Sequence, residues 1–154
     1  MEQHKKEGRY QRMFKQLEAL MGKSTDIHAR MATVIAVLHH KMEYFFWTGF
    51  YVLGTDGELV VRSYQGPVAC QVLEKSKGVC WAGINRKETI IVEDVHQFPG
   101  HIACDSRSRS EIVIPFRNRQ GEIIGVLDVD SKNQGAFDTI DAHWLEKILG
   151  LIEA

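Results

Sequence analysis

Apolar residues recur at three- and four-residue steps at both ends of the chain and follow an extended pattern between them, so the order of elements can be read before any chemistry. Tyr10, Met13, Phe14, Leu17, Leu20 and Met21 fall on one face of a helix predicted over Arg9 to Met21. Gly22, Lys23 and Ser24 supply a stop and a cap, and Ile27, Met31, Val34, Ile35 and Leu38 predict a longer helix over Thr25 to Met42. Phe45 to Leu53 is aromatic and β-rich. With the Asp56-Gly57 turn and the extended Leu59 to Tyr64 it predicts a hairpin. Ile112 to Phe116 and Ile123 to Val129, around Gln120-Gly121, predict a second hairpin. Ile140, Trp144, Leu145, Ile148 and Leu151 then predict a closing helix over Phe137 to Ile152. The middle, Gln65 to Gly100, mixes loop signals with a short apolar run, Thr89 to Val92, and a short helix from Gly78 to Ile84 that carries Cys80.

Two leading helices, two hairpins and a closing helix predict an α+β fold, an antiparallel sheet with helices on its faces. The 154 residues, 44% hydrophobic and 25% charged, suffice for one substantial core. We therefore expect a single domain, with helices over 1–42, sheet and loops over 43–136 and a last helix over 137–154. A net charge of -1, with cations interleaved among Asp and Glu, gives no basic field for nucleic acid. No apolar run approaches the roughly 20 residues that span a bilayer, and MEQHKKEGRY lacks the apolar core of a signal peptide. A cytoplasmic protein without membrane contact is expected. Three widely spaced cysteines argue against a secreted disulfide framework and for reduced, redox-active thiols.

The stretch PGHIACDSRSRSEIVIP, Pro99 to Pro115, puts Cys104 in a polar loop beside His101, Asp105 and Arg107. A structural thiol normally sits in an apolar pattern, whereas a thiol on a polar loop near cations can act as a nucleophile. With Cys70 and Cys80 this suggests a nucleophile with one or two resolving thiols. The plain alternative is three unrelated small residues. Cys70, Cys80, His96, His101 and Cys104 have the donor types of a zinc site, but not the paired spacing of a structural one. Glu111 opens one late strand, and Asp128 and Asp130, two apart, share a face at the end of the other. They form either the floor of an acidic pocket or an exposed polar face. Trp47, Phe50 and Tyr51 belong mostly to a sheet core, although Trp47 and Tyr51 share a strand face and could wall a pocket for an apolar or sulfur-bearing ligand.

WTGFY, QGPVAC, KGVC, VEDVHQFPGHIACDS, SEIVIP and GVLDVDS, in this order and spacing, resemble the free methionine-(R)-sulfoxide reductases, which are single-domain GAF proteins. The match covers Trp47 to Ser131. The resemblance implies a six-stranded antiparallel sheet flanked by helices, a homodimer, no bound cofactor, and reduction of free L-methionine (R)-sulfoxide with thioredoxin as the external reductant. It assigns Cys104 as nucleophile, Cys70 as its partner in a recycling disulfide, and Cys80 as a second resolving or relay thiol. Glu111, Asp128 and Asp130 correspond to acidic substrate-binding and catalytic positions, with Glu111 or Asp130 as proton donor, and Trp47 and Tyr51 to an aromatic wall around the methyl sulfoxide. Backbone N–H groups at Ile102 and Ala103 would meet the substrate carboxylate. One position departs from the pattern: Trp81 follows Cys80 where a small residue is expected, which bears on how Cys80 is exposed. A GAF module that senses a small ligand or redox state without catalysis is the rival reading, since the fold would be the same.

Overall fold

The computed structural model describes residues 1–101 and 104–154. Helices α1 (Gln3–Met21) and α2 (Ile27–Lys41) lead into β1 (Trp47–Leu53), β2 (Leu59–Gln65) and β3 (Val72–Leu73). Then come α3 (Gly78–Arg86), β4 (Ile90–Val92), a short 3-10 turn (Val95–Gln97), β5 (Ser110–Arg117), β6 (Ile123–Ser131) and α4 (Thr139–Gly150). The strands form one antiparallel sheet in the order β3-β2-β1-β6-β5-β4. Both expected hairpins are present, and the strand that closes the second lies beside the strand that opens the first.

The elements depart from the periodicity in instructive places. α1 begins at Gln3 rather than Arg9 because its buried stripe starts with Lys6 and continues through Tyr10, Met13, Leu17 and Met21. A lysine scores as polar, yet this one is 2% exposed and paired, so its position belongs to the core face. The cap of α2 is Asp26, whose carboxylate accepts from Ala29 N at 2.9 Å; Ser24 instead accepts from Asp26 N. Phe45 and Phe46 precede β1 rather than joining it, and Phe137 packs into the core ahead of α4, whose cap is Asp138.

Alternation along the three central strands divides their side chains between two layers. Phe50, Ile112, Ile114, Phe116, Leu127 and Val129 pack with α1, α2 and α4 into the larger core. Trp47, Tyr51, Val113 and Val126 face the other way, toward α3 and the long loops. On that side α3 lies close to the sheet because Gly83 has no side chain: a Cβ there would come within 2.8 Å of Val113 Cγ1.

Candidate active site

The register assembles the site from strands distant in sequence. Asp130 lies opposite Trp47 on one side and Glu111 on the other, while Asp128 lies between Gly49 and Val113. Since β6 is flanked by β1 and β5, the three carboxyls form one cluster on the α3 side of the sheet. Trp47 folds back over Gly49, where a Cβ would lie 2.9 Å from Trp47 Cζ3 and overlap Tyr64. The indole stacks between Tyr51 and Tyr64, with centroids 5.8 and 5.2 Å away.

The aromatic wall also holds the loop above it. Trp47 Nε1 donates to Pro67 O at 3.0 Å and the Tyr51 hydroxyl donates to Cys70 O at 3.0 Å. Cys70, thus fixed, is disulfide-bonded to Cys104, with Cα atoms 5.7 Å apart across 34 positions of sequence. Beneath lies a cavity of about 690 Å³, counting its open mouth, lined by Trp47, Tyr51, Cys80, Cys104, Glu111, Asp128 and Asp130. The positions singled out from the sequence therefore converge on one space, with Cys70 joined to its rim. Ile102 and Ala103 lie outside the described residues.

Phe46, Val79 and Ser108 also line the cavity, and sequence reasoning did not single them out; His101, noted beside Cys104, lines it too. Phe46 is the residue before β1, and its ring carries the Arg107 guanidinium at 5.0 Å and Lys132 Nζ at 4.8 Å. Strand alternation would place Phe46 on the face of Phe50, away from the cavity, so the sequence pattern could not have found it. Trp81 does not line the cavity; it is buried, with Nε1 donating to Leu73 O at 3.3 Å, so its bulk is taken up beside β3. The donors weighed for zinc do not converge, because Cys70 and Cys104 are joined and His96 is exposed outside the cavity.

Glu111 and Asp128 are 5% and 6% exposed, and no salt bridge among the described residues reaches them or Asp130. Burial, then the charges of Asp128 and Asp130, push Glu111 well above the usual carboxylate range. Burial, then Asp128 and Asp105, do the same to Asp130, which keeps a surface on the cavity. Asp128 is also raised by burial, but bonds from Glu111 and Cys80 favour its charged form. Burial and mutual repulsion therefore favour the protonated forms of Glu111 and Asp130, and the bonds that Asp128 receives work against the same effect there. The Cys80 thiol is 4% exposed and held well above its usual value by burial and then by Asp128, so it is a thiol rather than a thiolate at neutral pH. At the mouth, two bonds from the Arg107 guanidinium (2.9 and 2.7 Å) and one from its backbone N–H hold Asp105 at about 2. Burial, then His96, lower His101, leaving a neutral ring beside the cavity.

The chain and its order of sheet and helices have counterparts among known proteins. The GAF domain model matches residues 25–154. The GAF domain-containing protein A of Dictyostelium discoideum is 46% identical over 148 residues, covering 96% of this chain and 92% of its own. The free methionine-R-sulfoxide reductase of Escherichia coli is 38% identical over 144 residues, covering 94% and 86%. The free methionine-R-sulfoxide reductase of Neisseria meningitidis, solved in complex with its substrate, superposes with a TM-score of 0.88 at 40% identity, covering 94% and 86%. The fold is that of a GAF domain. Within that class the chain belongs to the free methionine-R-sulfoxide reductases, a family of oxidoreductases. No described helix is long and apolar enough to cross a membrane.

Proposed function

We propose that this protein reduces free L-methionine (R)-sulfoxide to L-methionine, with Cys104 as nucleophile and Cys70 as resolving thiol. The observation that carries the proposal is the Cys70–Cys104 bond at the mouth of a cavity whose floor holds Glu111 and Asp130, buried carboxyls pushed above the usual carboxylate range. A sulfoxide sulfur is a weak electrophile because oxide leaves poorly, so attack requires a proton or a strong hydrogen bond at its oxygen. Glu111 or Asp130 supplies it. Asp128, whose charged form the bonds from Glu111 and Cys80 favour, faces the substrate ammonium, and Trp47 and Tyr51 enclose the methyl group. Backbone N–H groups at Ile102 and Ala103 take the substrate carboxylate. Recognition of both charged termini selects the free amino acid over methionine sulfoxide within a peptide.

The Cys104 sulfur attacks the sulfoxide sulfur, the S–O bond breaks, and the oxygen ends on Cys104 as sulfenic acid while methionine leaves; the substrate gains two electrons and the cysteine loses two. The Cys70 thiol then displaces water to form the disulfide, and a dithiol protein, thioredoxin, reduces it by exchange. Cys80, buried beside Asp128, is a second candidate thiol for this relay. We place the reaction in the cytoplasm, in a homodimer and without a bound cofactor.

The test is turnover of the R and S epimers of free methionine sulfoxide with dithiothreitol, beside Cys104→Ser and, with thioredoxin, Cys70→Ser. Turnover of the R epimer alone is expected, abolished by Cys104→Ser and stalled after a single turnover by Cys70→Ser. Full turnover by Cys104→Ser would remove the nucleophile assignment. No turnover of either epimer by the folded, reduced protein would make it a ligand-sensing GAF module instead.

A further inference from the structure

The cavity floor contains a donor set that the proposed reaction does not require as a unit. Cys80 Sγ, from the first turn of α3, and one carboxylate oxygen each from Glu111 on β5 and Asp128 on β6 lie within 4.8 Å of one another, and all three residues are buried. Separately, Asp128 Oδ1 is buried without any hydrogen-bond partner, on a residue 94% removed from solvent that lines the cavity. A buried oxygen without a partner, on a carboxyl that lines a cavity beside a thiol and a second carboxyl, leaves room for a cation. None of the protein's own lysines or arginines meets that need among the described residues.

We propose that Cys80, Glu111 and Asp128 form a binding site for a thiophilic divalent cation of the zinc class, and that a cation held there excludes the substrate ammonium from the floor. One sulfur and two oxygens, with a fourth position open to the cavity for water, match the mixed donor sets that zinc and cobalt accept. Ligand atoms around a tetrahedral zinc stand roughly 3.3–3.8 Å apart, given bonds of about 2.0–2.3 Å. The three donor atoms, within 4.8 Å of one another, must close by about 1 Å to ligate. The three donors come from three different elements of the rigid sheet and its packed helix, so the site is held by the fold rather than by a loop. The Cys70–Cys104 disulfide does not compete for the cation in the oxidised protein, where Cys80 is the free thiol. The exclusion of substrate rests on the reductase reading; binding of the cation does not.

The experiment uses the oxidised protein and Co²⁺, because a cobalt–thiolate bond adds a charge-transfer absorption and this form has a single thiol to give it. One Co²⁺ per chain is expected, with the charge-transfer band, bleached when Zn²⁺ is added. Cys80→Ser should abolish the band, and Asp128→Asn and Glu111→Gln should each weaken binding about 10–100-fold. The Cys70→Ser/Cys104→Ser double variant should keep the band unchanged. In the reduced enzyme, Zn²⁺ should raise the apparent KM for the sulfoxide and leave kcat unaltered. Folding of each variant is checked by circular dichroism, and the two carboxyl variants keep the test decisive if Cys80→Ser folds poorly. Absence of the band in the oxidised protein, or its survival in Cys80→Ser, would overturn the site. A site confirmed by cobalt but without competition between Zn²⁺ and the sulfoxide would overturn the exclusion and leave the reductase reading to its own epimer test.

Discussion

On the helical side of the sheet, Asp141 is fully buried and each of its oxygens is satisfied twice. Oδ2 accepts from Lys6 Nζ at 2.7 Å and Asp138 N at 2.8 Å, and Oδ1 accepts from the Tyr10 and Tyr44 hydroxyls at 2.7 and 2.6 Å. On the other side, Asp128 is almost as deeply buried, yet its Oδ1 has no donor and its neighbours are further acids and a thiol. Both are carboxylates in a folded interior. The difference is whether the chain supplies the complement. Where it does, the cluster joins α1, α4 and the segment before β1; where it withholds it, the cluster is poised for a ligand or a proton.

The comparison can be broken at either cluster. Lys6→Met leaves Asp141 buried without its cation and should cost about 3–5 kcal/mol in urea unfolding, with turnover per folded molecule unchanged. Asp128→Asn should do the opposite. Turnover should fall about 10²-fold or more, a barrier of about 2.7 kcal/mol, while unfolding shows no loss of stability, because an amide needs no counter-ion. A loss of stability matching that of Lys6→Met would show that the two clusters serve the same purpose. Tyr44→Phe removes one of two hydroxyls from Asp141 Oδ1 and should cost about 2 kcal/mol, again without effect on turnover.

A smaller effect concerns pH. The folded-state values of Glu111 and Asp130 lie above their unfolded values, so the folded chain keeps protons that the unfolded chain releases. Their favourable contribution is complete below the unfolded carboxylate values of about 4 and is lost as pH rises through the folded ones. Between those limits stability should fall with rising pH by at most about 1.4 kcal/mol per unit for each group. Glu111→Gln should flatten that slope, and urea midpoints of the two proteins across the range would measure it.

Much of this contrast could be read from the sequence, and the unread part has specific causes. The shared face of Asp128 and Asp130 follows from strand alternation alone, as does that of Trp47 and Tyr51. That Glu111 joins them depends on β5 pairing with β6 so that Glu111 meets Asp130, a register that periodicity constrains but turn chemistry fixes. The choice between an acidic floor and an exposed face needed the cover, and the cover is α3 with the Cys70 loop, where the pattern was weakest. β3 is two residues long and carries no period to detect. The disulfide joins positions 34 apart, and no spacing rule selects that pair among three thiols. Lys6 was illegible for a deeper reason. Its partners, Asp138 and Asp141, lie more than 130 positions away, and a lysine is assigned to the core only once its counter-ion is known.

That separation also sets a clock on biosynthesis. At about 5–20 residues per second, the 135 positions between Lys6 and Asp141 take roughly 7–27 s to translate, so Lys6 waits without its counter-ion long after α1 has emerged. β1 also waits, because β6, which carries Asp128 and Asp130, is the last strand made and lies next to the first. During that interval Cys70, Cys80 and Cys104 emerge without the floor that would direct their chemistry, and a nascent chain exposed to oxidant can join any two of them. The strand order thus makes newly synthesised protein a distinct, more vulnerable population from the finished one, and its yield under oxidising conditions should depend on what shields α1 and the thiols until β6 arrives.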